Sequence, residues 1–201
     1  YYLILKNWWG NIELTNYEKT VFNEEIISLN QQLIRLKENQ IRIGIFGKAG
    51  VGKSSILNLL LKEEVFETNI INGSTKKIET KEWEINHQSL NIELVDTPGF
   101  DICNDKFSDT LNSKTFNSEL VLFAIAGDLN RNEVNKLNSL INDGKKIIII
   151  LNKINVWNKY ELKEILKNVG SKLPKNSNIP IIKNSENNIS AYFPWWSNGC
   201  H

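Results

Sequence analysis

From Phe22 the apolar residues recur in steps of four, three, four and three, through Ile26, Leu29, Leu33 and Leu36. That spacing draws one stripe along a helix of roughly residues 16–38, with Thr15 or Asn16 as its cap and Asn39 as its end. A stripe of this length packs on its own domain, since a coiled-coil seam needs more heptads. Residues 1–14 read as aromatic and irregular, with a break at Trp8-Trp9-Gly10. Beyond the helix the period changes. "IRIGIF" (41–46) reads as a strand, and a helix follows a glycine-rich turn through about Lys62. Residues 63–80 are polar and turn-rich, and "WEINH" and "LNIELVD" pattern as a strand pair around residues 83–95. "LVLFAIA" (120–126) and "KIIIIL" (146–151) are almost purely apolar, as expected of central parallel strands covered on both faces. Between them Val134, Leu137 and Ile141 suit a helix stopped at Gly144. Residues 159–169 fit another helix and "IPIIK" (179–183) a last strand. Strands alternating with helices predict a parallel, doubly wound α/β sheet.

At 201 residues the chain holds one full-sized core with room for an appended segment. A net charge of +1 gives no global basic field, so DNA is not an expected partner. Cys103 and Cys200 belong to no CxxC or Cys/His cluster, which points to a reduced, cytosolic chain. His87 and His201 are the only histidines, too few for a histidine metal site or a Ser/His/Asp triad. No apolar run approaches the roughly 18 residues of a membrane span, and "YYLIL" is too short for a signal-peptide core. There is no methionine, even at position 1, so a piece of a longer product is expected.

The chemistry sits in two segments. "GKAGVGKS" matches G-x-x-x-x-G-K-[ST] at Gly47, Gly52, Lys53 and Ser54, with a strand before it and a helix after it. Glycines let successive backbone N–H groups curl around phosphate oxygens, and the helix N-terminus adds partial positive charge. In this motif Lys53 reaches the β- and γ-phosphates and the Ser54 hydroxyl binds Mg²⁺. "LVDTPGF" places Asp96 at a strand end, 43 residues after Lys53, with Gly99 behind it. Asp-Thr-Pro-Gly alone is also a good turn; its distance from the first motif and its place at a strand end give it weight.

Together with "NKIN" (152–155), these segments resemble the translation-factor-type GTPases and, within them, the Era-like branch of TrmE, Era and septins, over roughly residues 41–187. "DTPG" followed by an aromatic, and "NGSTKK" where that branch carries Gly-Thr-Thr-Arg, are the branch-level features. The resemblance implies a three-layer P-loop NTPase fold, α/β with a mostly parallel six-stranded sheet, here with an N-terminal amphipathic helix. It divides the chain into a leader (1–40), a GTPase domain (41–190) and an irregular tail (191–201). It implies GTP/GDP and Mg²⁺ as ligands, cradled by Gly47, Lys48, Ala49, Gly50, Val51, Gly52, Lys53, Ser54 and Ser55. Asp96, Thr97 and Gly99 would follow the phosphates and the metal, and Asn152, Lys153, Asn155 and Ser185 the base. Ser54, Thr75 and Asp96 would hold Mg²⁺; Lys53, Thr75 and Gly99 would be catalytic, with Thr80 the alternative to Thr75. For the loop after the last strand, Ser185-Glu186-Asn187 competes with Ser190-Ala191.

Three departures qualify that expectation. Phe100 stands where a catalytic glutamine would orient water, and Gly50 where potassium-activated members carry asparagine. Asn155 replaces the aspartate that reads guanine, which leaves XTP or ATP open beside GTP. The phosphate cradle is complete while the hydrolytic machinery is thin, so slow hydrolysis competes with a nucleotide-controlled binding module that barely turns over. In either reading the loops 63–80 and 97–112 would order on the γ-phosphate and relax without it. An unidentified protein effector is the implied partner. The Trp8-Trp9 leader ahead of "RIGIFGKAGVGKSS" resembles bacterial Era-like GTPases that continue into a membrane-associated C-terminal region, a region not in this chain. A cytoplasmic domain, peripheral at the membrane, is the corresponding expectation.

Overall fold

The computed structural model describes residues 2–68, 78–84, 91–101, 118–175, 177–185 and 188–192. The sheet is built from β1 (Gln40–Gly47), β2 (Glu79–Glu84), β3 (Asn91–Asp96), β4 (Leu120–Ile125), β5 (Lys146–Leu151), β6 (Ile181–Ser185) and β7 (Asn188–Tyr192). Their order is β2-β3-β1-β4-β5-β6-β7. β3, β1, β4, β5 and β6 run parallel; β2 and β7 pair antiparallel at the two edges. β1 to β6 answer to the six strands expected from the sequence, with one shift. β2 begins at Glu79, inside the stretch expected as loop, while residues 85–87 of the expected strand lie outside the described residues. β7 adds a seventh, closing a hairpin on β6 through Ser185↔Asn188.

The central strands bury both faces, and their two-residue period sorts the core into two halves. Phe46, Val121, Phe123, Ile125, Ile149 and Leu151 point to one side, where Leu137, Leu140, Ile165 and Val169 meet them. Those four lie on α5 (Arg131–Asn142) and α6 (Lys159–Lys172). Ile43, Ile45, Leu122, Ala124 and Ile150 point to the other side, against Ile56 and Leu57 of α4 (Lys53–Leu61). Each fully buried Leu, Ile or Phe contributes about 1.5–3 kcal/mol, so this two-sided burial fixes the strand register before any polar contact is counted.

The leader differs from expectation in two places. Residues 2–10 form a helix, α1 (Tyr2–Gly10), where irregular chain was expected, and Trp9 Nε1 donates to Asn30 Oδ1 at 3.0 Å to hold it. The single helix expected over 16–38 is broken at Phe22 (φ −101°, ψ 25°) into α2 (Asn16–Val21) and α3 (Asn23–Lys37). Thr15 caps α2 in a capping box with Glu18. α3 reaches the sheet through Leu33 and Arg35, both buried. Arg35 pairs with Glu119 at 3.1 Å, and Glu119 also accepts the Arg42 N–H at 2.6 Å. A buried guanidinium demands such a partner. Nearby, burial holds the Lys145 ammonium below the usual lysine range, although Glu119 and Asp143 pull it upward. Among the described residues no helix is long and apolar enough to cross a membrane.

The chain enters at β1, adds β3 on one side of it and β4 on the other. Where strand order reverses in this way, a crevice opens beyond the carboxyl ends of the strands, and ligands bind there.

Candidate nucleotide-binding site

That crevice is lined by the turn from β1 into α4. Gly52 has a φ of +89°, and a Cβ there would come within 2.4 Å of Asn152 Nδ2, so only glycine allows the turn and the contact together. α4 starts at Lys53 with no side-chain cap and no acidic residue in its first turn. The start of this helix therefore brings its partial positive charge to the crevice. Lys53 is buried and donates from Nζ to the Lys48 carbonyl at 2.8 Å, folding its ammonium back over the loop. Lys48 itself turns outward to Glu133, 3.6 Å away at the start of α5.

The end of β3 closes the other wall. Ser54 Oγ donates to Asp96 Oδ2, and both residues are buried. A hydroxyl and a carboxylate converging in this way are hard oxygen donors of the kind that suit Mg²⁺. A Cβ on Gly99 would come within 2.4 Å of the Ala49 nitrogen, so this segment lies directly against the P-loop. Thr97, expected among the ligand-binding residues, is placed elsewhere. It is fully buried with its hydroxyl donated to the Ile45 carbonyl at 2.6 Å, and its side chain ties β3 to β1. Phe100 turns inward as well. Its ring stacks on Phe46, with centroids 5.3 Å apart, and on Phe123 at 6.5 Å.

The third wall follows β5. Asn152 Nδ2 donates to the Val51 carbonyl at 2.9 Å, and Lys153 Nζ to the Gly50 carbonyl at 2.8 Å. Lys153 adopts φ +57°, a left-handed conformation costing roughly 1–2 kcal/mol for a non-glycine residue. Two hydrogen bonds back to the P-loop offset that strain. Asn155 lies on the following 3-10 turn, Ile154–Val156, exposed and lining a cleft of about 480 Å³. Ser55, Lys62, Thr68, Asn152 and Lys153 line the same cleft, whose size suits a nucleoside. Val51 belongs to the core through its side chain and to the site through its carbonyl. Ser185 ends β6, one residue beyond Asn184, which lines the cleft. Thr75 and the pair Glu186-Asn187 lie outside the described residues; Thr80 is exposed on β2, paired with Val95. Ser190-Ala191 falls within β7, opposite Lys183 and Ile182.

Three residues of this site went unread in the sequence. Asn184 is buried and donates to Asn152 Oδ1 at 2.9 Å, which orients the amide that holds Val51. Asn58 on α4 accepts the Val65 and Phe66 N–H groups and donates to the Phe66 carbonyl, pinning the chain as it leaves the helix. Asp101 accepts the Ala49 N–H at 2.7 Å. An asparagine breaking the apolar face of a helix was the available signal for Asn58. For the other two the signal exists only after folding.

Residues 42–153 match a family model described as 50S ribosome-binding GTPase. The chain belongs to this family of GTPases. It is a GTP-binding domain with the P-loop at its centre. It is 32% identical over 149 residues to the tRNA modification GTPase MnmE of Mesoplasma florum, covering 71% of this chain and 32% of that protein. It is 30% identical over 147 residues to the GTPase Der of Buchnera aphidicola, covering 69% and 32%. The domain thus spans about a third of the length of these curated relatives. Toc33 from Arabidopsis thaliana, solved in complex with GDP and Mg²⁺, superposes with a TM-score of 0.53 at 18% identity, covering 82% of this chain and 78% of that one. At that identity the likeness shows the fold.

Proposed function

We propose that this domain binds the magnesium complex of GTP and hydrolyses it slowly to GDP and phosphate, with segments 63–80 and 97–112 answering the γ-phosphate. The observation that carries this reading is the cross-linking of the phosphate loop to the base loop through Asn152, Lys153 and their carbonyl partners. One rigid frame then sets the distance between triphosphate and base. Ser54 and Asp96 would hold the metal, which when bound neutralises charge building on the phosphate oxygens. Lys53 swings from the Lys48 carbonyl to the phosphates, its ammonium stabilising the charge that develops as water attacks in line. Gly99 offers its N–H to the γ-phosphate, and Thr75 would complete the metal shell.

Turnover is slow in this reading because nothing at position 100 faces the water. The Phe100 ring is held against Phe46 and Phe123, and Gly50 has no side chain to recruit a potassium ion. The aromatic after "DTPG" and the "NGSTKK" segment support placement in the Era-like branch, and the aromatic leader supports continuation into a membrane-associated region. A second reading, relaxed base choice, is favoured by Asn155 alone: its exposed amide lines the cleft where guanine would require a carboxylate. Titration of the purified chain with labelled GTP, XTP and ATP, followed by single-turnover hydrolysis, decides among these. Tightest binding of GTP with measurable phosphate release is expected. GTP binding without release would make this a nucleotide-controlled binding module, and preference for ATP would overturn the guanine reading.

A further inference from the structure

The P-loop turns backbone N–H groups toward an incoming anion, and one of them already holds an anion that belongs to the chain. Asp101 Oδ1 accepts from the Ala49 N–H at 2.7 Å, from an exposed side chain. Its placement follows from two neighbours. Gly99 lies against the Ala49 nitrogen, and Phe100 is anchored in the stack with Phe46 and Phe123. The next residue is thereby delivered to the rim of the loop. Gly99 and Asp101 bracket the same amide.

We propose that Asp101 is a positioning and specificity-determining residue that reports the third phosphate: its carboxylate occupies the Ala49 N–H beside a diphosphate and is displaced by a triphosphate. This rests on reading the site as one for GTP. A carboxylate oxygen and a phosphate oxygen are equivalent acceptors for a P-loop amide, so the two compete for it. A β-phosphate held by the start of α4 would lie beyond reach of this competition. A γ-phosphate taken up by the Gly99 N–H would come to Ala49 beside it. Two anions cannot share that amide, and while Phe100 stays anchored the carboxylate cannot retreat far. GTP binding therefore works against this contact, and GDP binding does not.

The test uses the whole chain with Mg²⁺ and compares affinities for GDP and for the non-hydrolysable analogue GMPPNP. Asp101→Asn keeps the shape and an acceptor oxygen while removing the charge. GMPPNP binding is expected to tighten about fivefold to tenfold, the scale of one partly screened charge, with GDP changing less than about twofold. A parallel change in both, or no change in either, overturns the proposal. Wild-type protein that binds neither guanine nucleotide overturns the GTP reading and this proposal with it. Should the variant not fold, the wild-type Ala49 amide resonance carries the same test. It is expected to be alike in the nucleotide-free and GDP states and to move with GMPPNP; an equal shift with GDP overturns the assignment.

Discussion

Replacing Asn155 with Asp restores to the cleft the one charge that its geometry lacks. The turn that carries the residue does not depend on the side chain. Val156 N–H donates to the Lys153 carbonyl at 3.2 Å and Trp157 N–H to the Ile154 carbonyl at 3.2 Å, so the backbone at 155 is held from both sides. Guanine offers two donors, its ring N1–H and its 2-amino group. An aspartate accepts both with a full charge, whereas an asparagine accepts one and turns its own NH₂ toward the other. A hydrogen bond to a charged group is worth about 1.5–3 kcal/mol, and a poorly paired donor adds about 1 kcal/mol, for about 2.5–4 kcal/mol before screening. Residue 155 is exposed, and screening by solvent reduces the gain to about 1.4–2.8 kcal/mol. Asn155→Asp is therefore expected to tighten GTP binding about tenfold to a hundredfold, at about 1.4 kcal/mol per decade. XTP, which presents a carbonyl where guanine has its amino group, is expected to bind more weakly to the variant. Competitive titration against one fluorescent nucleotide reads both changes. If neither affinity moves, residue 155 does not touch the base.

Other consequences are open to direct test. Lys53→Ala is expected to abolish measurable GTP binding while circular dichroism stays unchanged, because the ammonium faces the loop carbonyl of Lys48 and not the apolar core; undiminished binding would refute the P-loop assignment. Basal turnover is expected near about 10⁻⁴–10⁻² s⁻¹, with no acceleration when Na⁺ is exchanged for K⁺; a large rise would show that a residue other than Gly50 holds the ion. Lys145→Met is expected to raise the melting temperature at pH 7. Burial depresses the folded pKa of this lysine, so between that value and its higher unfolded pKa the unfolded chain binds more protons. The wild type accordingly gains stability as pH rises through that window, a gain the variant lacks. Equal pH profiles for the two proteins would mean that Glu119 and Asp143 already cancel the cost of burial.

The parts of this molecule that were readable in sequence are those whose physics is local or two-sided. β4 and β5 announce themselves because strands buried on both faces leave no polar alternation. The P-loop and Asp96 are legible because phosphate geometry fixes their spacing. The leader shows where such reading ends. Phe22 continues the apolar stripe in sequence yet breaks the helix in space, and α1 is held by a hydrogen bond from Trp9 to a residue on another helix. β7 exists because β6 offers an edge, a fact about neighbours that its own residues do not carry. Thr97 shares its motif with Asp96 but spends its hydroxyl on a strand carbonyl. Asn184 and Asp101 act only across the fold, each on a loop distant in sequence.

The Arg35–Glu119 pair decides where this chain can be cut. A truncation at residue 40 follows the change of pattern in the sequence and would leave the sheet, the P-loop and the base loop intact. It would also strip Glu119 of its guanidinium and leave the carboxylate with the Arg42 amide, at the position where β4 is about to begin. That residue directly precedes Leu120, the first residue of β4. The damage from trimming the leader would therefore surface far away in sequence, as a loosened start of β4. Shortening the chain to residue 23 instead, at the first residue of α3, spares the pair and is the boundary at which an isolated domain should keep its nucleotide response.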